Sequence, residues 1–370
     1  MLSNNTPPKN RKTILICPLD WGLGHIARDL PLIKTFRQNG HRVIVAASPR
    51  LIQWLKTEYA DVETTLFPGP DIRYGQNGLL ILKLAIQLPE LIWWYFREKK
   101  HSATLVARYQ PDLIISDNRY GVRYKSVFSV IITHQLMLKL PRCIKWMEYP
   151  LHLVINKLIQ GFNECWVPDF EKEFSLAGDL VHKYQYPANI KLIGPLSRFD
   201  GSDLPQKNDV PPDPGTILAI ISGPEPHRSR LENKLEKTFD NTRRKTIILR
   251  GKDFHKEFLK AKSSNREVYN HLPTDELLLK IMACETIIAR SGYSTIMDMY
   301  ILNRPLLMIP TPGQTEQQYL AKYHHKKEQI RPEANDLKDL FPSIFIPPSK
   351  QIRIYLQEKN FRKVLRNYFE

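Results

Sequence analysis

The sequence predicts an α/β protein of two doubly wound lobes facing across a cleft, and three observations carry that reading. A chain of 370 residues is too long for one compact core and suits two domains of roughly 150–200 residues. Near its start, the apolar run from Thr13 to Leu19 reads as a buried strand. The loop Asp20-Trp21-Gly22-Leu23-Gly24-His25 follows, then a helix from Ile26 to Asn39, then Gly40-His41-Arg42 and a second strand, Val43 to Ala47. This βαβ unit with glycines at its first crossover is the usual opening of a Rossmann-like sheet. Past the midpoint, a segment rich in proline (Pro205, Pro211, Pro212, Pro214) gives way to a strand from Thr216 to Ile221, and the alternation restarts. The expected division is residues 1–200 for the first lobe, 201–215 for a linker, 216–349 for the second lobe and 350–370 for a terminal helix.

In the first lobe the glycine loop lacks a full G-x-G-x-x-G, so dinucleotide binding is weakly supported. A strand from Leu113 to Ser116 ends at Asp117-Asn118-Arg119-Tyr120-Gly121, and one from Ser129 to Thr133 ends at His134-Gln135. Ligands of open α/β sheets sit beyond the carboxyl ends of strands, so the groups at 20–25, 117–120 and 133–135 are expected to line one cleft. Helix capping or loop hydrogen bonding is the competing role for any one residue of the latter two groups. Strands at Glu164 to Val167 and Ile190 to Ile193 complete the lobe, and Gly194-Pro195-Leu196-Ser197-Arg198 closes it.

In the second lobe Ser222-Gly223-Pro224-Glu225-Pro226-His227-Arg228 leads into a helix from about Ser229. A strand follows at Thr246 to Arg250 and a helix at Thr274 to Ala283. Glu285 to Ala289 reads as a buried strand, Arg290-Ser291-Gly292 as a tight turn, and Ser294 onward as a helix. The free N–H groups of that helix start suit an anion, Ser291, Ser294 and Thr295 add hydroxyls, and Gly292 permits close approach. A strand from Pro305 to Pro310 then delivers Glu316, Gln317 and Gln318, whose carboxylate and amides suit sugar hydroxyls. An ordinary strand–turn–helix unit with a polar loop is the competing reading.

The stretch from Ala289 to Tyr319 resembles the donor-binding segment of the MurG-type glycosyltransferases (glycosyltransferase family 28 type), which add N-acetylglucosamine to a lipid-linked peptidoglycan precursor. In that family a strand ending in Arg-Ser-Gly precedes a helix with Thr and an acidic residue, then a strand, then paired glutamines. Here these are Arg290-Ser291-Gly292, Thr295, Asp298, the strand to Pro310, and Gln317-Gln318. The resemblance implies a GT-B fold, with Asp298 on the ribose, Gln317 and Gln318 on the sugar, main-chain groups at His271-Leu272-Pro273 on the uracil, and a terminal helix returning to the first lobe. It likewise places a catalytic base at His25. Asp298 is shorter than the family's Glu, and Pro224 and Pro226 remove N–H donors from the loop of Ser222 and Gly223, leaving Arg228 or Arg230 to supply charge. Gly22, Gly24, Asp117, Asn118, His134, Gln135 and Arg198 are the expected acceptor contacts.

Sugar transfer from a nucleoside diphosphate needs a donor pocket, stabilisation of the departing diphosphate and a base for the acceptor hydroxyl. His25 suits the base because imidazole titrates near neutrality; bonding a loop carbonyl is its alternative role. No Asp-x-Asp motif occurs, and Cys17, Cys143, Cys165 and Cys284 lack metal-ligand spacing, so no metal or cofactor is expected beyond the UDP-sugar itself. The expected activity is an inverting, metal-independent hexosyltransferase moving a hexose or N-acetylhexosamine from a UDP-sugar to a lipid-linked or amphiphilic acceptor. The alternatives are a UDP-sugar epimerase of the same architecture and a non-catalytic nucleotide-sugar binder.

A formal charge of +16 suits phosphorylated ligands, an anionic membrane or nucleic acid. The basic residues are spread over both halves without a dedicated motif, which argues against nucleic acid. Gly78 to His101 is apolar and aromatic, broken by Lys83, Gln87, Pro89 and Glu90, and edged by Arg97, Lys99 and Lys100. Two readings fit it: docking at a lipid–water interface, as in the MurG family, or two core helices. Met137 to Gly161 has the same character. Without a signal-peptide core, a membrane span or a disulfide pattern, the protein is expected in the cytoplasm, with peripheral contact to the inner face of the cytoplasmic membrane as the lipid reading would require.

Overall fold

The computed structural model describes residues 11–69, 80–200, 213–240, 242–252, 258–260, 265–325, 343–348 and 361–369. The first lobe is a seven-stranded parallel sheet made of β1 (Thr13–Cys17), β2 (Arg42–Ala47), β3 (Glu63–Leu66), β4 (Leu113–Asp117), β5 (Phe128–Ile132), β6 (Glu164–Val167) and β7 (Ile190–Leu192). Their order is β3-β2-β1-β4-β5-β6-β7. Helices α1 (Leu23–Gln38), α2 (Pro49–Glu58), α3 (Leu80–Tyr109), α4 (Glu148–Ile159) and the short α5 (Asp179–His182) accompany it. In β1, Ile14 and Ile16 point into a cluster with Ile26, Leu30 and Phe36 of α1, while Leu15 and Cys17 join Ile44, Ala46 and Ile114 on the opposite face. That period of two, apolar on both sides, is what a buried parallel strand requires.

The second lobe contains β8 (Asp213–Ile220), β9 (Thr246–Leu249), β10 (Phe258–Lys260), β11 (Arg266–Tyr269), β12 (Cys284–Ala289), β13 (Leu306–Met308) and β14 (Ser343–Phe345). The order is β10-β11-β9-β8-β12-β13-β14, with β10 and β14 antiparallel to their neighbours. Its helices are α6 (His227–Phe239), α7 (Thr274–Ala283), α8 (Tyr293–Leu302) and α9 (Thr315–Tyr323). In each sheet the chain leaves a central strand in opposite directions, between β1 and β4 and between β8 and β12. Loops therefore diverge there and leave a crevice at the strands' carboxyl ends.

Some boundaries differ from expectation. Asp213 to Gly215 already pair within β8, so only 213–215 of the expected linker is described, and as strand; 201–212 lies outside the described residues. α6 begins at His227, two residues before Ser229. Of the expected terminal helix, residues 350–360 lie outside the described residues, and Phe361–Phe369 is helical. Phe361 and Leu365 are buried among Ile14, Ile16 and Phe36 of the first lobe, and Arg362 donates to Asp200 Oδ1 at 3.1 Å.

Gly78 to His101 does not form two core helices. From Leu80 it is one helix, α3, running through Pro89, while residues 78–79 lie outside the described residues. From residue 89 its inner face carries Glu98, Ser102 and Leu105, whereas Ile92, Trp93 and Phe96 face outward. Glu98 is buried because it accepts from Arg119 Nε at 2.8 Å and from the Gly121 amide at 3.2 Å. On this segment the inner face thus carries a buried carboxylate and hydroxyl beside Leu105, and the outer face mixes apolar and aromatic side chains with Arg97, Lys99 and Lys100.

The lobes share apolar packing. One cluster runs from Leu136, Phe162, Val167 and Phe170 of the first lobe to Tyr293, Ile296 and Tyr300 of the second.

Candidate functional site

The site is built where α1 of the first lobe meets the start of α8 in the second. Both helices begin after a glycine with no side-chain cap, Gly22 (φ 112°) and Gly292 (φ −75°), so their first-turn N–H groups are not consumed by capping side chains. Ser294 Oγ donates to the Gly24 carbonyl at 3.1 Å. A Cβ on Gly24 would lie 3.0 Å from that hydroxyl, so the glycine is what lets the lobes approach this closely. Gly292 is different: nothing lies closer to a built Cβ than Thr295 Oγ1 at 3.9 Å. A side chain there would project into open space before the helix.

His25 stands in the first turn of α1. Its Nδ1 is 3.1 Å from both carboxylate oxygens of Asp117, the last residue of β4. The pairing of β1 with β4 brings these positions together, although they are 92 residues apart. Asp117 is fully buried, which opposes its charge, yet Arg28 and His25 beside it hold its carboxyl well below the usual carboxylate range. It is therefore the acceptor, and Nδ1–H of His25 the donor. Among the described residues nothing bonds His25 Nε2.

Arg28, one turn further along α1, donates from Nε to Asp117 Oδ2 at 2.9 Å and from Nη2 to Asp117 Oδ1. Its Nη1 lies 3.2 Å from His134 Nδ1. His134 in turn stacks on Tyr293 of α8, with ring centroids 4.2 Å apart, and its Nε2 is 2.9 Å from Glu316 Oε1 of α9. Gln135 Nε2 donates to the other oxygen, Glu316 Oε2. Burial holds His134 below the usual imidazole range, and the contact with His134 keeps Glu316 below the usual carboxylate range despite burial. Glu316, expected at the donor sugar, is therefore engaged across the cleft with His134 and Gln135, two residues expected at the acceptor. Asn118, left-handed at φ 56°, accepts from Thr133 Oγ1 at 3.1 Å and supports the same loop pair.

The remaining donor candidates divide. Ser291 Oγ donates to the Gln317 carbonyl at 2.8 Å, and Gln317 Oε1 accepts from the Thr311 amide at 2.8 Å, so the turn after β12 and the start of α9 are joined. Gln318 is exposed, and Thr295 half-buried. Arg290 is not at the helix tip. It is buried and donates to the carbonyls of Pro310 at 3.1 Å and His227 at 2.9 Å, and burial lowers it to about 10. Arg228 donates to Glu225 Oε1 and to the Gly251 carbonyl, so its charge is matched within its own loop, next to the exposed Ser222 and Gly223. Asp298 accepts from Ser197 Oγ at 2.6 Å and lies 3.9 Å from Arg198, at the crossing between lobes. His271 is buried with its ring edge-on to Trp54 of α2, and the Thr274 amide donates to Glu58 Oε1 at 3.2 Å.

Sequence reasoning missed Arg28 and Tyr293. The signal for Arg28 was its spacing: His25-x-x-Arg28 puts both on one helical face. Nothing local marked Tyr293 as a stacking partner.

Residues 227–335 match the model of the glycosyltransferase family 28 C-terminal domain. No curated protein matches the chain in sequence. Among solved structures, the spinosyn rhamnosyltransferase SpnG complexed with thymidine diphosphate is 12% identical with a TM-score of 0.56, covering 85% of this chain and 84% of that one. The glycotransferase of kitacinnamycin is 14% identical with a TM-score of 0.53, covering 84% of each chain. Arabidopsis thaliana UGT89C1 complexed with UDP-L-rhamnose is 15% identical with a TM-score of 0.50, covering 84% and 82%. These likenesses show the fold, two Rossmann-like domains in the GT-B arrangement.

Proposed function

We propose that the protein is an inverting, metal-independent glycosyltransferase that moves a hexose or N-acetylhexosamine from a UDP-sugar to a lipid-linked or amphiphilic acceptor. The observation that carries this is the His25–Asp117 pair, at 3.1 Å, on the loop whose Gly24 carbonyl touches Ser294 at the tip of α8. The match of residues 227–335 to the family 28 domain supports a sugar-nucleotide donor, as do the thymidine diphosphate of SpnG and the UDP-L-rhamnose of UGT89C1.

With Nδ1–H donated to Asp117, His25 Nε2 takes the proton of the acceptor hydroxyl. That oxygen bonds the anomeric carbon while the bond from this carbon to the diphosphate oxygen breaks, inverting the centre. Charge on the departing diphosphate meets the α8 first-turn N–H groups and the Thr295 hydroxyl, with Gly292 leaving room for it. Gln317 and Gln318 read the sugar, and Asp298 takes the ribose hydroxyls once Ser197 is exchanged for them.

Support for an amphiphilic acceptor comes from the first lobe's surface. α3 exposes Ile92, Trp93 and Phe96, and the 310 turn Arg142–Met147 with α4 exposes Trp146, Tyr149, Leu153 and Val154. Arg97 lies 4.9 Å over Trp93, and Lys99, Lys100, Arg142, Lys145 and Lys157 are exposed nearby in sequence. Among the described residues no helix is long and apolar enough to cross a membrane. Aromatic rings with cations at their edges suit headgroup depth instead.

UDP should raise the melting temperature more than GDP or TDP does. His25→Ala should cut UDP release from the preferred UDP-sugar by about 10²–10⁴-fold without weakening UDP binding. Wild-type turnover in that variant would remove the base assignment. The second histidine–carboxylate pair, His134 with Glu316, favours epimerisation as a second reading. Incubating the protein with a UDP-sugar and no acceptor separates the two: an epimer seen by NMR supports it, UDP release does not.

A further inference from the structure

Arg28 is 2% exposed and its guanidinium touches Asp117, His25 and His134. Neutralising Asp117 needs only the two contacts from Nε and Nη2. The guanidinium goes further, with Nη1 at 3.2 Å from His134 Nδ1 and Nη2 at 3.1 Å from His25 Nδ1.

Those contacts decide where protons reside. Arginine stays charged and only donates. His134 Nδ1 must therefore accept, which leaves the His134 proton on Nε2, facing the Glu316 carboxylate. On the other side, Nη2 carries two protons and gives only one to Asp117 Oδ1. The His25 proton is drawn to Nδ1 by the two carboxylate oxygens of Asp117, each 3.1 Å away and able only to accept, and Arg28 acts there by holding that carboxylate through Nε and Nη2. Lysine would supply the same charge as a single point. Only a planar fork spans both.

We propose that Arg28 is a positioning residue that fixes the proton on Nδ1 of His25 and on Nε2 of His134, readying the base when Glu316 of the second lobe is docked. Its consequence for turnover rests on the reading of His25 as the base. The groups that face this centre are Asp117 at the end of β4, His25, Arg28 and Asp29 on α1, His134 after β5, Tyr293 on α8 and Glu316 on α9. Asp29 is fully buried, and burial together with Asp117 raises its carboxyl well above the usual range.

The test uses the full chain as Arg28→Lys, with the Arg28→Met/Asp117→Asn double variant as a second form that leaves no buried charge unmatched. Histidine ring signals are titrated by NMR, assigned with His25→Gln and His134→Gln. UDP release from UDP-N-acetylglucosamine is followed across pH. In both forms the His134 midpoint should rise by about one pH unit, a tenfold change in proton affinity, because the donor to Nδ1 is gone. In Arg28→Lys, kcat should fall about 10–100-fold while KM for UDP-N-acetylglucosamine stays within about twofold. Unchanged His25 and His134 titrations in Arg28→Lys overturn the proposal, whatever happens to turnover. If those titrations move while His25→Ala keeps wild-type turnover, the proton-placing role stands and the base assignment falls.

Discussion

Asp298 is buried beside Ser197 and Arg198, and burial pushes its carboxyl up to about 6. The unfolded chain ionises an aspartate near about 3.9, so the folded state binds this proton more tightly. Its contribution is favourable below the unfolded value and is lost as pH climbs through the folded one. The penalty for the ionised form thus grows between about pH 4 and 6 and is constant above, at about 3 kcal/mol. Asp298→Asn should accordingly raise the urea midpoint at pH 8 and change it little near pH 4. An equal gain at both pH values would show that the carboxyl's ionisation is not the cause. At this scale the sequence was partly legible. Glycines around His25 and the strand-end position of Asp117 marked them as cleft residues, and the structure joins them. Arg290 was expected in the donor pocket, and its side chain donates to backbone carbonyls; a lone arginine after a strand looks the same in sequence whether it meets phosphate or carbonyls. Only the fold shows which carbonyls converge on it.

At the scale of elements, α3 is the instructive case. The apolar, aromatic character of its segment was plain in the sequence, but the side it would bury was not. Periodicity assigns the apolar face inward, whereas here the inner face holds Glu98 and Ser102 because Arg119 and the Gly121 amide are there to meet the carboxylate. The outward Trp93 and Phe96 are then left exposed. Vesicles of phosphatidylglycerol should carry the wild-type chain upward in flotation, and vesicles of phosphatidylcholine much less, because the cations contribute about 1 kcal/mol each near an anionic surface. Trp93→Ser/Phe96→Ser should lose most of that binding with no loss of melting temperature. Retained flotation in the double variant would place the membrane contact elsewhere.

For the whole molecule, two Rossmann-like sheets were legible from the repeated strand–glycine–helix order and from the proline-rich break between halves. The way the lobes engage was not, since it depends on pairs such as those of Glu316 and three tyrosines, 125 to 182 residues apart. Besides Glu316, Tyr319 Oη accepts from the Asp179 amide at 2.6 Å, Tyr323 Oη donates to the Ser175 carbonyl at 3.1 Å, and Tyr293 Oη donates to the Pro168 carbonyl at 2.7 Å. Glu316→Ala removes a charged member of this set. Amide hydrogen exchange at residues 134–139 and 315–319 should then quicken about tenfold, the worth of one charge-assisted hydrogen bond. Exchange confined to 315–319 would mean that the carboxylate orders its own helix and does not hold the lobes together.

The helix Phe361–Phe369 lies far along the chain, yet Phe361 and Leu365 are buried beside β1 and α1. During synthesis the amino-terminal half therefore emerges from the ribosome with a hydrophobic groove that its own residues do not cover. That half lacks these two packing side chains until translation has passed residue 365. Leu365→Ala, at a cost of about 2–5 kcal/mol, should accordingly speed pulse proteolysis of the first lobe rather than the second.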